Sequence, residues 1–270
     1  MGQKKIMVKR LLIKHPMERS QDYRTFLFRV SIISLVLVSL AGATFLFFSL
    51  YFFLRGASFL RVKEVTIEGN NRISTEEILA ITDLDDENLL SLDIKALSRS
   101  LSQHPWIEKS MIKRIFPKGI QIIIHERKPM AVIYLDSFYY VDAQGAIFDR
   151  AKGREKAAYP ILTGISREDL EKGDKKARIL LRKALDFIEI IQEDTILPYR
   201  SISQIHLDRA VGLLVYTLNQ GIEIRMGFDG FDKKLRRISR VWSIIRPMET
   251  DYIDAIIPGK IIVKQKRTEK

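Results

Sequence analysis

A single run of 25 uncharged residues, Val30 to Leu54, constrains this chain more than any other feature. It reads VSIISLVLVSLAGATFLFFSLYFFL and is bounded by Arg29 and Arg55. As an α-helix rising ~1.5 Å per residue it reaches roughly 37 Å, enough to cross a ~30 Å hydrocarbon core with some tilt. The chain beyond it, roughly four-fifths of the whole, is polar enough to fold in water. The expectation is a folded module held at a membrane surface.

Charge sets the expected orientation. Lys4, Lys5, Lys9, Arg10, Lys14, Arg19, Arg24 and Arg29 stand against Glu18 and Asp22, a net of +6 in residues 1–29 and half of the chain's +12. Basic flanks stay cytoplasmic, so the N-terminus is expected inside and the C-terminus outside. Phe45, Phe47, Phe48, Tyr51, Phe52 and Phe53 crowd the far end of the run, as at an outer interface. A cleaved signal peptide fits poorly, because the apolar run is long and Gly56, Ala57 and Ser58 make a poor cleavage site. The remaining basic excess is interspersed with acid and carries no zinc-finger or helix-turn-helix pattern, which disfavours nucleic acid. The chain has no cysteine, so no disulfide can staple the outer part and cores must hold it.

The part after the span reads as two units. Residues 62–68 alternate as a strand and end at Gly69-Asn70-Asn71. Ser74 with Glu77 has capping-box spacing and opens a short helix. A second helix near 92–102 places Ile94, Leu97 and Leu101 on one face and stops at His104-Pro105; strands near 109–116 and 119–126 follow. That order gives a small β-α-α-β-β unit over 62–129.

The second unit, 130–265, starts with strands at 130–135, 137–142 and 146–148. Residues 151–173 are polar and read as a loop. A helix over 174–191 aligns Ala177, Leu181, Ala184, Ile188 and Ile191. Strands are expected near 201–208, 211–218 and 221–226, then a helix over 231–246 with Phe231, Leu235, Ile238, Trp242 and Ile245 on one stripe. Strands near 251–257 and 260–265 close the unit, split by Pro258-Gly259, and 266–270 form a tail. The fold class is α+β: one membrane helix, the small unit, then a mixed domain with an antiparallel sheet and an open C-terminal edge strand.

No catalytic constellation is present. His15, His104, His125 and His206 are isolated, and there is no nucleophile elbow or phosphate-binding glycine loop. Asp83, Asp85, Asp86 and Glu87 read as a solvated loop. Glu126 cannot act with His125 on one bond, since neighbours on a strand point to opposite faces. No cofactor, metal or catalytic residue is expected, and the chain is expected not to be an enzyme.

Val65-Thr66-Ile67-Glu68-Gly69-Asn70, His104-Pro105-Trp106-Ile107, Lys113-Arg114-Ile115-Phe116-Pro117 and His125-Glu126-Arg127-Lys128-Pro129-Met130-Ala131 follow one another behind the span. This ordered set resembles the POTRA domain of the bacterial division family FtsQ/DivIB. Tyr140-Val141-Asp142-Ala143-Gln144-Gly145-Ala146-Ile147-Phe148, Tyr159-Pro160-Ile161-Leu162-Thr163-Gly164, Asn219-Gln220-Gly221-Ile222, Met226-Gly227 and Tyr252-Ile253-Asp254 are similar to that family's second domain.

The resemblance implies a non-catalytic scaffold at the division septum. Its partners would be FtsB and FtsL, which regulate the synthase pair FtsW–FtsI, with FtsK a proposed recruiter. It implies an edge strand near the C-terminus as the FtsB contact: Ile256, Ile257, Gly259, Lys260, Ile261, Ile262, Val263 and Lys264. It also implies a recruiting surface on the POTRA unit, for which Lys109, Ile112 and Arg114 are the candidates. One departure stands out: where the family has aspartate-leucine-arginine-tyrosine, this chain has Asp254-Ala255-Ile256-Ile257. The competing reading is a POTRA-bearing secretion or outer-membrane assembly factor, which would lead into a β-barrel that this sequence does not show.

Overall fold

The computed structural model describes residues 18–85, 87–194, 197–242, 244–245 and 249–266. The expectations for residues 1–17, Asp86 and 267–270 therefore lie outside the described residues. The chain opens with α1 (Glu18–Gly56), whose apolar residues from Phe26 to Phe53 are exposed, as a lipid-facing helix requires. Then come β1 (Glu64–Glu68), α2 (Thr75–Thr82), α3 (Ile94–Ser102), β2 (Ile107–Ile115) and β3 (Gly119–Glu126). The three strands make a sheet of order β1-β3-β2.

Next are β4 (Pro129–Tyr134), β5 (Phe138–Asp142), β6 (Ile147–Arg150), β7 (Ile161–Thr163), α4 (Arg167–Glu171), α5 (Lys175–Ile191), β8 (Ile202–Asp208), β9 (Gly212–Thr217), β10 (Glu223–Gly227), α6 (Phe231–Trp242), β11 (Thr250–Asp254) and β12 (Ile262–Gln265). These strands form one nine-stranded sheet of order β12-β11-β10-β9-β8-β7-β4-β5-β6. Backbone contacts divide the chain into two compact units: Met1–Val65 with Leu84–Asp93 and Arg114–Ile120, and Thr66–Asp83 with Ile94–Lys113 and Gln121–Lys270.

In the first unit the end of α1 is gripped by Asn88. Its side-chain amide donates to the carbonyls of Leu54 and Ala57 at 3.2 and 3.3 Å, and its Oδ1 accepts from Leu90 N–H at 2.9 Å. The last carbonyls of a helix lack partners within it, so a side-chain donor here acts as a C-terminal cap. Leu89 N–H donates to Leu60 C=O, and Val62 N–H to Glu87 C=O, binding the same loop to the chain leaving the helix.

In the second unit, Ser74 accepts from Glu77 N–H as expected of an N-cap, but the box is half made. The Glu77 carboxylate turns to His104 Nε2 at 3.2 Å instead of reaching back. Glu126 accepts from the backbone N–H groups of Asn71, Arg72 and Ile73, each at 2.9 Å, so this carboxylate organises a turn. Gly69 precedes that turn with φ +84, and a Cβ there would lie 2.2 Å from Ile124 O; only glycine fits.

The main sheet is antiparallel except where β4, β7 and β8 run parallel, and where β10 and β11 do. The stripe Ala177, Leu181, Ala184, Ile188 and Ile191 on α5 is buried against one face of it, with Ile133, Leu162, Ile205 and Val215 beneath. Phe231, Leu235 and Ile238 of α6 join the same core, Phe187 meeting Phe231 edge to face at 5.4 Å. The α6 stripe is thus part of the core, with Trp242 and Ile245 partly buried against it. The segment 151–173 is no loop: β7 lies inside the sheet and α4 follows it, started by a complete capping box between Ser166 and Asp169.

Candidate functional site

A sheet that does not close leaves two edges, and each must be covered, charged or paired. At one edge, Trp106 is buried against β6. Its ring lies 5.0 Å from Phe148 and 5.3 Å from Tyr140, and its Nε1–H donates to Asp149 at 2.8 Å. The Arg72 guanidinium stacks on the same indole at 3.8 Å and pairs with Glu155 at 2.7 Å. Arg127 closes the junction onto buried Asp142 at 2.7 Å. Buried Trp106 is the hub of a junction with β5 and β6.

The opposite edge is β12. Among the described residues it pairs with β11 alone, antiparallel, with Asp254 opposite Ile262, Ile253 opposite Val263, and Tyr252 opposite Lys264. All four of its residues are exposed, Ile262 by 44% and Val263 by 38%. In such a ladder, alternate residues turn their N–H and C=O groups away from the neighbour, so β12 offers an unpaired backbone row.

Register sorts the side chains. Val263 shares the core side with fully buried Ile253, whereas Ile262 and Lys264 share the other face with Tyr252 and Asp254. That face carries a charged and aromatic ladder. Tyr216 donates to Glu223 at 3.0 Å, Arg225 Nε donates to the same carboxylate at 2.7 Å, and Arg225 lies over the Tyr252 ring at 4.3 Å. Lys264 approaches that ring at 5.3 Å and pairs with Asp251 at 3.0 Å. Burial, and then the Glu223 carboxylate, push the Tyr216 hydroxyl pKa up, keeping it a donor at neutral pH.

The expected edge residues do not all lie in a strand. β11 ends at Asp254 and β12 begins at Ile262, so Ile256, Ile257, Gly259, Lys260 and Ile261 form the connection. Its path is fixed: Ile256 N–H donates to Asp254 Oδ1 at 2.9 Å, and Arg237 Nη1 donates to Ile257 O and Lys260 O at 3.3 and 3.4 Å. Pro258-Gly259, with φ +79 at the glycine, makes the expected break, but the strands stop short of it on both sides, at Asp254 and Ile262 and not at 257 and 260. Arg237 escaped the sequence reading; the signal for it was the run of cations on the polar face of α6.

The other candidate surface separates. On β2, Lys109 has the opposite parity from Ile112 and Arg114, so the three cannot share a face. Lys109 is exposed and Ile112 half-buried. Arg114 is occupied within its own unit, donating to the carbonyls of Leu89 and Leu92 at 2.6 Å each, where it braces the loop that holds Asn88. Among the described residues no group of three or more His, Cys, Asp or Glu side chains could hold a metal ion.

Two family models match stretches of this chain. Residues 60–127 match the family model "POTRA domain, FtsQ-type", and residues 131–255 match "Cell division protein FtsQ/DivIB, C-terminal". The second match stops short of β12. A cell division protein FtsQ from Syntrophotalea carbinolica is 31% identical over 211 residues, 77% of this chain and 75% of the relative. One from Geobacter sp. strain M21 is 30% identical over 228 residues, 83% of each. The Neisseria meningitidis serogroup B protein of that name is 26% identical over 188 residues, 68% of this chain and 72% of its own.

Proposed function

Because this chain belongs to the FtsQ/DivIB family of cell division proteins, we propose that it is a non-catalytic scaffold of the divisome that docks its partner on β12. It is a division protein with, among the described residues, one helix long and apolar enough to cross a membrane, Tyr23–Gly56. In our reading residues 1–29 are cytoplasmic and the rest extracytoplasmic, as the basic flank favours. The protein gathers at the septum and binds FtsB with FtsL, and through them influences FtsW–FtsI. FtsK recruitment falls to the POTRA unit. There Lys109 and Ile112 stand as separate candidates on two faces of β2, and Arg114 serves as a brace.

The observation that carries this reading is the open, exposed β12 edge at the end of a sheet whose other edge meets Trp106. Main-chain hydrogen bonds to such an edge supply affinity, and alternate side chains supply specificity. Lys264 within it and Lys260 and Lys266 beside it are charges that discourage unwanted pairing.

The test is a pair of prolines. Ile262→Pro and Val263→Pro remove N–H groups that point in opposite directions, so one keeps β12 on β11 and loses an outward donor. We expect that variant to weaken FtsB binding in a titration with an unchanged circular dichroism spectrum. Wild-type affinity in both variants sinks the reading.

A further inference from the structure

We propose that a basic concavity on α6 receives an acidic polypeptide segment flanking the partner strand. This inference rests on the reading of β12 as the docking edge and adds a second contact to it. Lys233, Arg236, Arg237 and Arg240, with Pro258 and Gly259, line a concavity of about 360 Å³. Their spacing of i, i+3, i+4 and i+7 places four cations on one helix face across two turns. Like charges so spaced repel, and among the described residues no carboxylate pairs with any of the four. The opposite face of α6 is committed to the core through Phe231, Leu235 and Ile238, and the remaining lysine, Lys234, is turned inward with its Nζ donating to Met226 O at 2.7 Å.

What singles out a polypeptide is continuity with the open edge. Arg237 is hydrogen-bonded to Ile257 O and Lys260 O, and Lys260 stands two residues before β12. A chain paired along β12 therefore leaves it, in either polarity, beside the Pro258-Gly259 wall of the concavity. Carboxylates in that flanking stretch would meet cations that no carboxylate among the described residues pairs. Such complementarity governs encounter and specificity, and it weakens with salt.

The experiment titrates the full chain, in nanodiscs, with the FtsB–FtsL pair of the same organism at low and high salt. Arg237 is left alone because it holds the turn. Arg236→Glu/Arg240→Glu is expected to bind about tenfold more weakly than wild type at low salt and to lose most of its salt dependence. Arg236→Gln/Arg240→Gln, which cannot introduce repulsion, is expected in between, with unchanged melting for both. Wild-type binding and salt dependence in both charge variants overturn the inference. If the Ile262→Pro/Val263→Pro double variant still loses binding, the edge reading survives that failure. Wild-type binding by the double proline variant, or no binding of the pair to the wild type, removes the edge reading and the inference with it. A further arm uses phosphatidylglycerol vesicles: loss of vesicle binding with intact partner binding in the charge variants overturns the inference in favour of a lipid headgroup.

Discussion

Asn88 is the residue by which the end of α1 and the loop 87–92 hold each other, and its loss has a size that can be worked out. Asn88→Ala deletes two donations, to Leu54 O and Ala57 O, and one acceptance from Leu90 N–H. The carbonyls are not orphaned, because Leu54 O also accepts from Ala57 N–H and Ala57 O from Leu60 N–H. Leu90 N–H is left without its acceptor. Three hydrogen bonds at a net ~0.5–1.5 kcal/mol each, with one orphaned donor, suggest about 2 kcal/mol of local opening free energy. At about 1.4 kcal/mol per tenfold, this is roughly a thirtyfold rise in amide exchange for the segment that includes Leu89 and Val62. The assay is hydrogen–deuterium exchange by mass spectrometry on the full chain in nanodiscs, with α5 peptides as the internal control. Asn88→Asp tests the sign: it keeps an acceptor for Leu90 but sets a carboxylate against two carbonyl oxygens, so it should exchange at least as fast as the alanine variant. A less than threefold change for both variants, with α5 unmoved, refutes the reasoning.

Trp106→Ala should cost about 3–5 kcal/mol, since it empties a site between Tyr140, Phe148 and Arg72 and leaves Asp149 without its indole donor. A double-mutant cycle with Arg72→Ala, read by thermal unfolding, should show non-additivity; strict additivity dismisses the stacked pair. Hydrogen bonds from Ser166, and then Arg209, hold the Asp169 carboxyl down at about 2. A depressed acid stabilises the fold above its ordinary value of 3.8, and that contribution disappears as pH falls toward 2. An NMR titration should therefore show Asp169 protonating about two pH units below an unstructured aspartate, and a midpoint near 4 would contradict this.

Most of the fold was legible because its elements are long and periodic. The α5 stripe and the alternation of β3, β8 and β9 each set a face directly. What escaped was short or decided at a distance. β7 has three residues between Pro160 and Gly164, too few to display a period, yet it sits mid-sheet because Leu162 is buried between β4 and β8. The break at Pro258-Gly259 was legible, but the sequence predicts strands that reach 257 and start again at 260. Instead β11 ends at Asp254 and β12 starts at Ile262, because Asp254 and Arg237 hold the turn by hydrogen bonds. The junction at Trp106 escaped because its partners lie 34 to 43 residues away. For the candidate site, the edge itself was visible in sequence. The parity that divides Lys109 from Ile112 and Arg114 was also available from strand spacing alone, whereas the hold of Arg114 on Leu89 and Leu92 required coordinates.

The length of β12 limits what it can do alone. Four residues present at most two outward N–H and two outward C=O groups, so strand addition makes about four hydrogen bonds, together ~2–6 kcal/mol net. Covering what remains exposed of Ile262 and Val263 adds about 1–2 kcal/mol. Against this stands an association cost of roughly 4–15 kcal/mol before any side chain is ordered. The strand therefore specifies register and leaves tight binding to contacts beyond it. A peptide cut to the partner segment that covers β12 alone should show no measurable binding to the full chain by calorimetry, while the same peptide extended past the Pro258-Gly259 turn should bind. Micromolar binding by the short peptide would mean that the edge is sufficient, and that the neighbouring basic face of α6 serves some other end.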